Sequence, residues 1–142
     1  MECIFCQLLQ DPDGPDNLIL HRGDHAFIVL NRYPYTNGHL MVVPYAHEAS
    51  LQPLDSHTLA EMMELTREAV NHLTLVYQPE GFNVGLNLGE AAGAGVADHV
   101  HIHIVPRWGG DTNFMSTTAK TRVLPESLEV TYDRLRQSWH DN

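Results

Sequence analysis

Cationic side chains are scarce in this 142-residue chain: eight Lys plus Arg stand against eighteen Asp plus Glu, a formal charge of −10. A field of that sign repels polyanions at long range and argues against nucleic acid as a partner. It leaves open a small phosphorylated ligand, because local donors outweigh net charge at contact distance. Long apolar runs are also missing; none approaches the roughly 20 residues of a membrane helix, so no membrane partner is expected. The opening MECIFCQLLQDPDG has an early acid and no basic segment, so no signal peptide and a cytoplasmic location are expected. Cysteine is limited to Cys3 and Cys6, spaced more tightly than structural disulfides usually are, which leaves a metal or no role. Repeats, low-complexity tracts and linkers are absent, and the length suits one domain over residues 1–142.

Histidine is abundant, with ten in the chain. Apolar patterning predicts strands at 18–21, 25–31 and 38–44, the last two joined by the turn-rich YPYTNG. A short helix is expected over 3–10 and a long amphipathic one over 55–77. Its stripe is read as Leu59, Met62, Met63, Thr66, Val70, Leu73 and Tyr77, opened by a Thr58–Glu61 capping box. Strands GFNVGLNL and HVHIHIVPRW follow, separated by the small-residue loop GEAAGAGVAD. A closing helix is expected over 125–140, with Leu128, Tyr132, Leu135 and Trp139 on one side. Strands in series, with one long helix inserted and one at the end, predict an α+β fold, an antiparallel sheet covered by helices on one face.

Within DHVHIHIVPRW, His99, His101 and His103 alternate with β-branched residues. A strand turns successive side chains to opposite faces, so the imidazoles share one face while Val100, Ile102 and Ile104 face the core. Such a row admits four roles. It can be satisfied surface polarity, a metal site, a non-catalytic nucleotide-binding surface, or a centre for nucleophilic catalysis at phosphorus. A neutral imidazole attacks well near neutral pH if its other N–H is held by an acceptor. Gly89, Gly93 and Gly95 in the preceding loop would let backbone amides approach a phosphate.

HVHIHIV resembles the signature of the histidine triad (HIT) family. CIFC, FIVLNRYPYTNGHLMVVPYAH, GFNVGLNLGEAAG and HVHIHIVPRWGGDTNF are similar to family segments in family order. The resemblance implies an α+β HIT-like fold with one long central helix and a C-terminal helix, assembled as a two-fold homodimer. It implies a nucleotide hydrolase or transferase working through a nucleotidyl-histidine intermediate on His101. His103 would bind or polarise phosphate and His99 would support the array. Asn31, His39, Asn87, Gly93 and Gly95 would be nucleotide-binding, with Phe5 and Leu30 near the base. Where relatives often carry Gly-Gln-Ser or Gly-Gln-Thr before the triad, this chain reads AGAGVAD, so backbone amides around Gly93–Gly95 would do more. Similarity to bacterial relatives adds a structural zinc on Cys3, Cys6, His47 and His99. It also points to a dinucleoside polyphosphate of the Ap4A type as substrate, with inorganic phosphate in place of water as the acceptor. Arg107, Lys120 and Arg122, three of only eight basic residues, are candidates for its distal phosphates or for the incoming phosphate. A nucleoside phosphoramidase and a slow nucleotide-binding protein are the alternatives.

Overall fold

Two runs, Ala26–Leu30 (β2) and Leu40–Pro44 (β3), are buried at every position, the pattern of strands covered on both faces. They form the middle of the sheet in the computed structural model, which describes residues 3–96, 98–111 and 125–141. The other elements are helix α1 (Ile4–Leu8), strand β1 (Ile19–Arg22), helix α2 (Ser56–Tyr77), strands β4 (Gly81–Gly85) and β5 (Ile102–Arg107), and helix α3 (Leu128–Asp141). The five strands run in the order β1-β2-β3-β5-β4, each pair antiparallel. Helix α2 lies across β2, β3 and β5, and α3 packs on β1 and α2. This is the expected α+β architecture. Ile28, Leu40, Leu73, Ile104 and Leu135 are fully buried between the layers, and each such side chain contributes roughly 1.5–3 kcal/mol.

Helix α2 departs from its expected face and cap. Its buried positions are Thr58, Met62, Leu65, Thr66, Ala69, His72 and Leu73, whereas Leu59 and Met63 are exposed. The stripe is therefore rotated by about one residue from the expected one. Asp55 is the N-cap, its carboxylate accepting the Thr58 N–H at 2.8 Å. No Thr58–Glu61 box forms, because Glu61 reaches the sheet and accepts the N–H groups of His25 and Ala26 at 2.6 and 2.7 Å.

Two details set up the site. Gly38 closes the β2–β3 connection at φ +80°, where an added Cβ would also meet Leu73 Cδ2 at 2.9 Å. The strand expected from His99 joins the sheet only at Ile102. Before that point the chain follows the segment after β3, the Val100 N–H bonding to the Glu48 carbonyl at 2.8 Å. The spacers Val100, Ile102 and Ile104 are buried as the alternation predicts.

Candidate active site

Hydrogen bonds assign opposite tautomers to two neighbouring imidazoles. His101 Nδ1 lies 2.9 Å from the His99 carbonyl. A carbonyl only accepts, so Nδ1 carries the proton and the His101 Nε2 lone pair is left free. The His103 ring stands 4.7 Å from that of His101, centroid to centroid. Its tautomer is set at one remove. The Tyr35 N–H donates to His39 Nδ1 at 3.3 Å, so the His39 proton sits on Nε2 and is donated to His103 Nδ1 at 2.9 Å. His103 must then carry its own proton on Nε2. One ring offers a lone pair and its neighbour an N–H donor, the complementary pair that attack on a phosphoryl group requires.

This arrangement holds only while the rings are neutral. Burial, then repulsion from His103 and His101, pushes His39 down to about 4, and burial with repulsion from His101 pushes His103 down to about 4. Burial also lowers His101, partly offset by its bond to the His99 carbonyl. Because the folded-state values of His39 and His103 lie below the ordinary imidazole value, the unfolded chain binds more protons between about pH 6.5 and pH 4. The stability that neutral burial contributes is thus present above the unfolded value and lost as pH falls toward 4. Urea unfolding midpoints are expected to fall between pH 7 and pH 5, and a His39→Gln, His103→Gln double variant should flatten that slope. A level wild-type profile would contradict the assignment.

His99 faces away from this pair. Its Nε2–H donates to the Pro44 carbonyl at 2.7 Å, leaving Nδ1 as a donor atom for a metal. Around Nδ1 stand Cys3 Sγ at 3.2 Å, His47 Nδ1 at 3.3 Å and Cys6 Sγ at 3.8 Å, with Cys6 Sγ 3.6 Å from His47 Nδ1. All four ligand atoms lie within 4.8 Å of one another. The edges of a tetrahedron drawn with zinc–nitrogen and zinc–sulfur bond lengths are roughly 3.3–3.8 Å. Donor chemistry and spacing therefore both fit a closed site for a zinc-like ion. Phe5, between the two cysteines in α1, packs against the His99 and His101 rings at 5.4 and 4.9 Å.

A cavity of about 370 Å³ opens beside His101 and His103. Its lining combines the apolar Ile4 and Leu8 of α1, Leu18 and Leu30 with Asn87, Gly93, Gly95 and the two histidines. Gly93 has φ +91°, and nothing lies within 4 Å of where its Cβ would stand, so the loop leaves room for a ligand. Asn31 and His39 line the same cavity, whereas His99 does not. The candidate residues thus divide into a cavity set and a metal-type set, joined through the His99 backbone.

The HIT domain family matches residues 13–110, which contain the cavity residues of the sheet and the whole triad. The chain belongs to the HIT domain family. Over 131 residues it is 45% identical to AP-4-A phosphorylase from Mycobacterium tuberculosis, covering 92% of this chain and 66% of that protein. This HIT chain thus spans just under two thirds of the phosphorylase's length. It is 33% identical over 107 residues to adenosine 5'-monophosphoramidase from Schizosaccharomyces pombe, covering 75% of each. A Zn-bound histidine triad family protein from Mycobacterium smegmatis shares the fold at TM-score 0.77 and 24% identity, covering 99% of this chain and 95% of that one.

The expected cationic residues of this HIT chain fare differently. Arg107 is not at the cavity: it forms a two-pronged pair with Asp111, at 2.9 and 2.7 Å, and donates to Asn83 Oδ1 at 2.6 Å. Lys120, Arg122 and Thr112–Phe114 of the WGGDTNF segment lie outside the described residues. Among the described residues, the cation that lines the cavity is Arg32, beside Tyr33 and Tyr35. All three sit in the turn after Asn31, and two tyrosines in a turn otherwise built from Pro, Asn, Thr and Gly were the available signal.

Proposed function

We propose that this HIT chain cleaves dinucleoside polyphosphates of the Ap4A type in two displacements through His101. The carrying observation is the lone pair on His101 Nε2 set beside the N–H on His103 Nε2 at one cavity. The 45% identity to AP-4-A phosphorylase supports the substrate class. In the first step His101 Nε2 bonds to the α-phosphorus and the bond to the bridging oxygen breaks, releasing ATP. In the second, inorganic phosphate attacks that phosphorus, the phosphorus–nitrogen bond breaks, and ADP leaves with His101 restored. His103, Asn87 and the amides around Gly93 and Gly95 hold phosphoryl oxygens as charge shifts among them, while Asn31 and His39 line the ribose side. The aliphatic end beside Ile4, Leu8 and Leu30 takes the base.

The same proposal has residues 1–142 acting as one HIT domain with zinc on Cys3, Cys6, His47 and His99. Reduced thiols at that site suit the cytoplasm. A two-fold homodimer is supported by the edge strand β4 and the segment after it, with Val84 and Leu88 48% and 40% exposed. No described helix is long and apolar enough to cross a membrane.

Product analysis of Ap4A cleavage, with and without inorganic phosphate, tests the reading. ADP plus ATP appearing only with phosphate is expected. AMP plus ATP regardless of phosphate would replace the acceptor by water. Kinship to the monophosphoramidase favours a second reading, adenosine phosphoramidate as substrate; release of AMP from it with Ap4A left intact would select that one.

A further inference from the structure

Tyr33 and Tyr35 are the most exposed large hydrophobic side chains among the described residues, 80% and 81% exposed, and both line the cavity beside His101 and His103. Their exposure does not come from a loosely held loop. Asn31 accepts the Tyr33 N–H on its side-chain oxygen at 2.9 Å and donates its own N–H to the His39 carbonyl at 2.8 Å. Thr36 Oγ1 donates to the Pro106 carbonyl at 2.8 Å, and Asn37 Oδ1 accepts the Glu126 N–H at 3.2 Å. Pro34, between the tyrosines, restricts the backbone further. The turn is pinned at several points and still presents two aromatic rings to solvent.

The rings are also placed in line with the chemistry. One face of Tyr35 stacks on His39 at 5.1 Å and 21°, and His39 bonds to His103. The other face is open. Arg32 adds a guanidinium held by the Asp16 carbonyl at 2.8 Å, with further N–H donors to spare. Planar aromatic faces beside a cation suit a nucleobase with phosphates attached. The cavity, at about 370 Å³, lies near the small end of ligand pockets. A molecule with a nucleoside at each end of a phosphate chain must lay its second half against the solvent-exposed part of that lining, where Tyr33 and Tyr35 stand.

We propose that Tyr33, Tyr35 and Arg32 form a second subsite that receives the nucleobase and distal phosphates of the departing nucleotide. It makes the enzyme selective for dinucleotides over mononucleotides. The proposal rests on the dinucleotide reading above and deepens it.

Calorimetric titration with two probes tests it: AMP, and an Ap4A analogue with methylene groups replacing the α–β bridging oxygens. The wild-type protein is expected to bind the analogue at least about tenfold more tightly than AMP. Tyr33→Ala should weaken the analogue by about tenfold, the usual size of one lost base stack, and leave AMP within twofold. Tyr33→Phe should restore the analogue's affinity. Equal weakening of both ligands by Tyr33→Ala, or of neither, overturns the subsite. A Tyr33→Ala protein that changes oligomeric state by sedimentation also overturns it, since the rings would then belong to a protein contact. Failure of wild-type protein to bind AMP would instead overturn the cavity reading beneath it, so the two failures are told apart.

Discussion

His101→Ala is expected to abolish the covalent nucleotidyl-enzyme and to lower Ap4A turnover by on the order of a thousandfold or more. The size follows from what the side chain supplies. A covalent route splits one difficult displacement into two, and deleting a nucleophile removes both halves together. In this site no other described group can take over. His103 lies nearest, but its Nε2 holds a proton and its Nδ1 lone pair is engaged by His39. His99 spends Nε2 on Pro44 and turns Nδ1 toward Cys3, Cys6 and His47. His103→Gln keeps the nucleophile while altering the N–H donor, so it should slow labelling without abolishing it. Mass spectrometry of acid-quenched protein reads the adduct directly, and unfolding curves check that His101→Ala remains folded. Full turnover by His101→Ala would rule out the histidine route.

Much of this site was legible in the sequence because alternation is a strict code. Once Val100, Ile102 and Ile104 are assigned to the core, His101 and His103 must share the other face. The code reports faces within one element and not which neighbour each face meets. His99 shows the limit. It belongs to the same alternating row, yet it precedes the ladder that starts at Ile102 and meets Cys3, Cys6 and His47. Its place among metal ligands was available only through resemblance to a family. The long helix shows the same limit differently: Leu59 and Met63 fit a helical period as well as Leu65 and Ala69 do, and only docking on β2, β3 and β5 selects the latter. Arg107 was a reasonable phosphate candidate by charge scarcity, until its bonds to Asp111 and Asn83 occupied it. Arg32, Tyr33 and Tyr35 went unread because turns carry no periodicity to interpret.

Removal of the proposed zinc should have consequences beyond the N-terminus. Helix α1 has only five residues and no side-chain N-cap, too short to persist without tertiary anchors. Cys3 and Cys6 bracket it, and a zinc ion shared with His47 and His99 would fasten it to the segments after β3 and before β5. Between the cysteines, Phe5 packs on His99 and His101, and Ile4 and Leu8 of the same helix line the cavity. The same ion would therefore hold both the wall of the base pocket and the carbonyl that sets the His101 tautomer. A ligand present at 1,000 times its dissociation constant stabilises the folded state by roughly 4 kcal/mol. For a chain of this length that corresponds to a drop in Tm on the order of 10 °C when metal is lost. Chelated protein and Cys6→Ser should show this drop, faster amide exchange over residues 3–10, and AMP affinity weakened by about tenfold or more, since an exposed Leu forfeits roughly 1.5–3 kcal/mol of burial. Restoring zinc should reverse all three in the chelated wild type and not in Cys6→Ser. Untagged protein purified with substoichiometric metal, or a chelated protein whose Tm and amide exchange are unchanged, would remove zinc from the account. If exchange over 3–10 rises while AMP affinity holds, the ion would be an anchor for the N-terminus alone, and Phe5, Ile4 and Leu8 would lose their role at the cavity.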